Sequence, residues 1–368
     1  MDTKKYMAIP PGAIIPGSLP KFKIYILSSN GHRILWTREG NQVTQEQINK
    51  LVESGQKEVF IDLEEEIIYE QYLETHLGDI LANQSSSEDQ KAEIFSKVST
   101  NVVKDSFETS LGLGTMDYDT LRRTQSLVKN ALIFIAETHS LKALSKMIGH
   151  DYKTYEHATK VLWFTVAFLR KNPDILEQIE PTYLTFDETQ KKELLKQCGV
   201  GAILHDIGKA FVSQDILNKN GPLTTIEWEM IKRHPLNGLA MLLDSECPVF
   251  VKKAVLHHHE DFNGSGYPMG LDGQNIHILA RVLRIVDVFD AMTSRRPYKE
   301  AMSPTMVAQI MIGIPPEKIK NEEGQDDTNR DQGMRQCFDE KLLRKFILFL
   351  CKMTSETWLY VTDVILQC

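Results

Sequence analysis

Eleven histidines occur in this chain of 368 residues, and three of them stand together in HHHEDFNGSGYP, residues 257–268. A solvent-facing loop does not need three imidazoles, and a packed core tolerates few. Upstream, YEHATKV supplies His157, GAILHDIGKA supplies His205, Asp206 and Lys209, and IKRHPLNG supplies His234. Downstream, LRIVDVFDAMTSRRPYKEAM supplies Asp287, Asp290, Arg296 and Lys299. Each segment reads as a helix or a helix end, so several helices each offer one or two nitrogen or oxygen donors. Metal sites inside helical bundles are built that way.

His205 and Asp206 are the most informative pair. Neighbouring helix positions point about 100° apart, so both side chains can reach one region. A carboxylate has two oxygens and can bridge two cations, whereas an imidazole normally binds one. Lys209 follows at a spacing that keeps it on the same face, and an ammonium beside a pair of cations suits a phosphate oxygen. A donor set of histidine and aspartate favours iron or manganese over a closed tetrahedral zinc site. Two such ions can activate water and stabilise in-line attack on phosphorus.

The elements that must position these groups are mainly helical. RRTQSLVKNALIFIAETHSL (122–141), YEHATKVLWFTVAFLRKN (155–172), PTMVAQIMIGI (304–314), DEKLLRKFILFLCKM (339–353) and SETWLYVTDVILQ (355–367) carry apolar residues at helical spacing. No strand pair is expected after residue 90. In front of them, KFKIYILSSNGHRILW (21–36) reads as a β-hairpin turning at Asn30-Gly31. TQEQINKLVESG (44–55) reads as a helix with Thr44 and Gln47 as a capping box, and EVFIDL (58–63) as a strand. NQSSSEDQ (83–90) has the composition of a linker, and NEEGQDDTNRDQG (321–333) that of a polar loop. The expected architecture is therefore mainly α, an all-helical bundle preceded by a small α+β module. The boundaries drawn are 1–85 for the module, 86–145 for linking helices and 146–368 for the domain that carries the chemistry.

Formal net charge is −8, which gives no cationic surface for general nucleic-acid binding. The longest apolar runs fall short of the ~18 residues that suggest a spanning helix, so no membrane association is expected. The cysteines Cys198, Cys247, Cys337, Cys351 and Cys368 form no CxxC pair, and reduced thiols in the cytoplasm are the expectation.

HDIGK with an upstream histidine, then KRHP, HHE…GSGYP and DVFDAMTSRRPYKEA, resembles the HD-GYP subgroup of the HD phosphohydrolases over roughly residues 145 to 350. The resemblance implies a metal-dependent phosphodiesterase that hydrolyses cyclic di-GMP to pGpG, and onward to GMP if a second cut follows, by attack of a hydroxide bridging two metals. It implies His157, His205 and Asp287 around one ion, His234, His258 and His259 around the other, and Asp206 between them. Asp206 and Lys209 would serve the chemistry, and Lys209, Tyr267, Arg296 and Lys299 would meet substrate. Members with three metals carry a glutamate four residues before the first histidine; Lys153 stands there, so two divalent transition metal ions, iron or manganese, are expected. His257 is expected to pack, Asp290 to act as a cap or hydrogen-bond partner, and Glu260 to orient a histidine. The alternatives are a non-catalytic cyclic di-GMP receptor and an HD-type phosphohydrolase for another nucleotide. The front module is expected to regulate, through a homodimer or a signalling partner.

Overall fold

The computed structural model describes residues 5–28, 30–83, 86–136, 154–294, 301–313 and 334–353. By compactness the chain divides into residues 1–99 and 100–368; the boundaries at 85 and 145 remain an expectation.

The first unit is a small α+β module. It contains β1 (Tyr6–Ile9), β2 (Ile24–Leu27), β3 (Arg33–Thr37), α1 (Gln45–Glu53), β4 (Val59–Asp62), α2 (Glu66–Thr75), α3 (Leu77–Ala82) and the beginning of α4 (Glu88–Leu113). The sheet is antiparallel in the order β1-β4-β2-β3. Side-chain alternation sets its buried face: Ile24, Val59 and Ile61 point inward. Phe22 meets Tyr69 and Tyr72 edge-on. The buried Tyr72 hydroxyl accepts from Ile15 N and shares a hydrogen bond with Ser18. The hairpin and α1 form where the sequence placed them, and Thr44 and Gln47 make the reciprocal cap of α1. Strand β1 and helices α2 and α3 were not anticipated. The last three residues of the expected linker are helix, because Ser87 and Gln90 form a capping box that opens α4.

The second unit is helical. It continues α4 and adds α5 (Tyr118–Ala136), α6 (Thr154–Lys171), α7 (Pro173–Ile179), α8 (Glu188–Leu204), α9 (Gln214–Leu217), α10 (Thr225–Ile231), α11 (His234–Leu242), α12 (Val249–His257), α13 (Ile278–Thr293), α14 (Pro304–Met311) and α15 (Glu340–Met353). No strand follows β4 among the described residues. The expected loop 321–333 and helix 355–367 lie outside the described residues, as does the end of the helix expected to run to 141.

Phe164 and Phe168 from α6, Phe289 from α13 and Phe346 from α15 form one aromatic cluster with centroids 5.4–5.5 Å apart. His157 and Phe164 are seven residues apart, two turns along one helix face. Packing of the cluster therefore also fixes how α6 presents His157 toward α13. Among the described residues no helix is long and apolar enough to cross a membrane.

Candidate metal centre

Four histidines that are distant in sequence are fully buried at the ends or first turns of helices. His157 lies in the first turn of α6, His205 caps the end of α8, His234 opens α11 and His258 caps the end of α12. Three of them share one local device. The Nδ1 atoms of His205, His234 and His258 each lie 2.7 Å from the carbonyl oxygen three residues earlier, of Ala202, Ile231 and Val255. A carbonyl only accepts, so each Nδ1 carries the proton and each Nε2 keeps a lone pair. His157 reaches the same state differently: its Nδ1 is 2.7 Å from Asp290 Oδ2.

All four Nε2 atoms face Asp206. Asp206 Oδ2 lies 3.3 Å from His205 Nε2 and 3.8 Å from His157 Nε2, while Oδ1 lies 3.2 Å from His234 Nε2 and 3.7 Å from His258 Nε2. Each carboxylate oxygen thus serves one pair of imidazoles. Donor atoms of His157, His205 and Asp287 lie within 4.8 Å of one another, and so do those of Asp206, His234, His258 and His259.

The arrangement calls for cations. His234 Nε2 and His258 Nε2 face each other at 3.0 Å, although their Nδ1 contacts give both a lone pair there. Two lone pairs at that distance repel unless a proton or a cation lies between them. His205 Nε2 and Asp206 Oδ1 are buried without a well-directed hydrogen bond among the described residues, a costly state for polar atoms. Burial lowers the pKa of His234, holds that of His259 well below the usual imidazole value and pushes His258 down to about 4. Neutral imidazole is the metal-binding form. Burial opposes ionisation of Asp206, yet Lys209 and His205 beside it hold its carboxyl well below the usual range. Lys209 Nζ is 2.6 Å from Asp206 Oδ2. Burial likewise opposes the charge of Asp287, but His157, 3.1 Å from Asp287 Oδ1, keeps it ionised.

Around these groups stands a supporting layer. Asp290, one turn after Asp287 on α13, is buried between His157, Ser294 and Lys160. Their spacing of three residues, readable in the sequence, puts both carboxylates on one face. Glu260 does not orient a histidine. Its two oxygens accept from Met269 N at 2.6 Å and Leu271 N at 3.0 Å, so it holds the loop that carries Tyr267. Asp261 binds Arg284 and Ser265 in the same loop base. Gly266 is required there: a Cβ would stand 2.2 Å from Asp261 N and 2.5 Å from His259 O. The loop lays Tyr267 on His259, centroids 4.8 Å apart and planes 26° from parallel. His257 belongs to neither donor cluster. Arg296 and Lys299 lie outside the described residues.

A family model described as "HD domain" matches residues 176–313. A cyclic di-GMP phosphodiesterase of Pseudomonas aeruginosa, PA4108, is 39% identical over 163 residues, covering 44% of this chain and 36% of the relative. Residues 176–313 thus carry an HD domain. The relatives also include a 3'3'-cGAMP-specific phosphodiesterase of Vibrio cholerae, 31% identical over 214 residues, 52% of this chain and 48% of the relative. The chain spans less than half of the length of the curated relatives it matches. Among solved structures, Bd1817, an HDG"Y"P protein from Bdellovibrio bacteriovorus, aligns with TM-score 0.58 and 16% identity over 94% of this chain and 99% of that one. At that identity the likeness speaks for the fold. His157 precedes the matched HD segment and joins the site through the packing of α6 and its bond to Asp290.

Proposed function

We propose that this chain is a metal-dependent phosphodiesterase that opens a cyclic dinucleotide, with cyclic di-GMP as substrate and pGpG as first product. The observation that carries the reading is the Asp206 carboxylate, which turns one oxygen toward each group of imidazole lone pairs. In this reading His157, His205 and Asp287 hold one divalent ion, His234, His258 and His259 the other, and Asp206 both. Iron or manganese suits these donors. When bound, the ions would supply Lewis-acid activation of water and neutralisation of phosphate charge.

The chain's own side chains do the rest. Carbonyl contacts at Nδ1 fix each imidazole tautomer and ring direction, the usual task of such partners. Lys209, whose side chain is partly exposed, offers an ammonium to a phosphate oxygen once Asp206 is ligated. Tyr267 covers the outer face of His259 and borders the substrate. Arg296 and Lys299 complete the phosphate contacts in this proposal. Residues 146–368 form the catalytic part, the front module regulates or joins two copies, and the cytoplasm is the compartment.

A second reading, hydrolysis of 3'3'-cGAMP, is favoured by the Vibrio cholerae relative of that name. Anaerobically purified full chain, reconstituted with Fe²⁺ or Mn²⁺, should be offered cyclic di-GMP, 3'3'-cGAMP, dGTP and ppGpp. Turnover of cyclic di-GMP, abolished with the metal in a His205→Ala, Asp206→Ala double variant, is the expected result. Tight binding without product would instead mean a receptor, and preferential cleavage of dGTP or ppGpp a different HD-type hydrolase.

A further inference from the structure

Helix α10 buries none of its residues. It is held at its start by a capping box between Thr224 and Glu227 and by Lys219 on Glu227 at 2.6 Å. Yet it presents Ile226, Trp228 and Met230 to solvent, with Trp228 45% exposed. A tryptophan usually justifies itself by the area it buries, and here the fold supplies no core for it.

The surroundings of Trp228 are specific. Its one ring contact among the described residues is with Tyr267, edge to face at 6.3 Å. Tyr267 stacks on His259, a member of the donor cluster. Trp228 therefore stands two rings out from the proposed metal centre, on the side where Tyr267 borders it. Any cyclic dinucleotide whose phosphodiester meets His259 and Lys209 must send its bases outward from the centre. A purine has an apolar face that needs a partner and a polar edge that tolerates water. A half-exposed indole fits both demands, and stacking of a base on an aromatic ring is worth a KM change of roughly tenfold.

We propose that Trp228 is a substrate-binding residue that stacks against one purine base of the substrate. This rests on the phosphodiesterase reading and deepens it: the enzyme grips the base as well as the phosphate. Trp228 supplies a sequence-tolerant π-face, so it favours purine dinucleotides over small phosphodiesters without choosing between guanine and adenine.

The test uses the metal-reconstituted full chain with cyclic di-GMP. Trp228→Ala should raise KM about tenfold with kcat within about twofold and unchanged metal content, and Trp228→Phe should recover most of the loss. Ile226→Ser, on the same helix and 71% exposed, should leave KM unaltered. Binding of cyclic di-GMP should quench tryptophan fluorescence in the parent protein and much less in Trp228→Phe. If the parent turns over cyclic di-GMP and Trp228→Ala has the same KM, the stacking role is wrong while the phosphodiesterase reading stands. If Ile226→Ser raises KM equally, the helix acts as a whole and the assignment to Trp228 fails. If the parent neither binds nor cleaves the dinucleotide, both fall.

Discussion

Replacing Gly208 by alanine should empty part of the metal centre without touching a donor. Gly208 lies in the 3-10 turn Ile207–Phe211 that directly follows the His205-Asp206 pair, against the first turn of α11. A Cβ on it would stand 2.0 Å from His234 O and 2.4 Å from Gly238 N, both backbone atoms. Restoring an ordinary contact of 3.4 Å requires the turn and α11 to separate by about 1.4 Å. Asp206 Oδ1 and His234 Nε2, now 3.2 Å apart, sit on the two elements that must part. Metal–ligand distances tolerate only about ±0.2 Å, so the His234 side of the centre should lose its ion. Strain of this kind costs about 1–3 kcal/mol, which lowers Tm by about 2–4 °C per kcal/mol in a unit of this size. The helices should thus stay folded at room temperature. A displacement near 1 Å can cost about 10²-fold in turnover. Metal analysis of anaerobically purified Gly208→Ala, with circular dichroism and turnover alongside, reads all three. A variant with full metal content and parental turnover would refute the argument that this close approach sets the Asp206–His234 distance.

Two further outcomes follow from the supporting residues. Glu260→Gln leaves one oxygen where two accept from Met269 N and Leu271 N, and its amide would face a donor. The loop should loosen at a cost of about 1–3 kcal/mol, seen as faster hydrogen exchange at 269–271 and a raised KM; unchanged exchange would contradict it. His277 caps α13 by accepting from Leu279 N, and burial together with Lys253 holds its pKa down to about 4. The unfolded chain takes that proton near 6.5, so between about pH 6.5 and 4 the unfolded state binds more protons and stability falls as the pH is lowered. His277→Asn keeps a capping oxygen and removes the titration. Tm measured against pH should therefore fall less steeply on acidification than in the parent, and parallel curves would dismiss the role.

What the sequence made legible was whatever local rules govern. The hairpin of β2 and β3 and the capping box of α1 follow from neighbours within a few residues, and they appear where expected. Helix α4 misled because SSSEDQ has the composition of a linker, while the reciprocal bonds of Ser87 and Gln90 make it a helix start. Strand β1 went unseen because four residues beside PPG carry too little pattern of their own. Its pairing with β4, fifty or more residues away, makes it a strand. Packing at that separation has no local signature.

The centre itself divides in the same way. His157, His205, His234, His258 and the two aspartates could be named because chemistry restricts which side chains bind cations, and their order resembled a family. Their convergence could not be derived, since it depends on a phenylalanine cluster shared by α6, α13 and α15 and on a glycine pressed against a helix start. Glu260 shows where residue type alone fails. A carboxylate after three histidines invites the reading of a histidine orienter, but an acid at a helix end meets whichever unpaired donors the following loop brings. Here the loop turns back and offers Met269 N and Leu271 N, two amides that would otherwise lack an acceptor. The carboxylate takes both, and the histidines use main-chain carbonyls three residues earlier in its place. That substitution has a consequence for the chemistry. A carbonyl only accepts, so it fixes which ring nitrogen of His205, His234 and His258 holds the proton and turns the other toward Asp206.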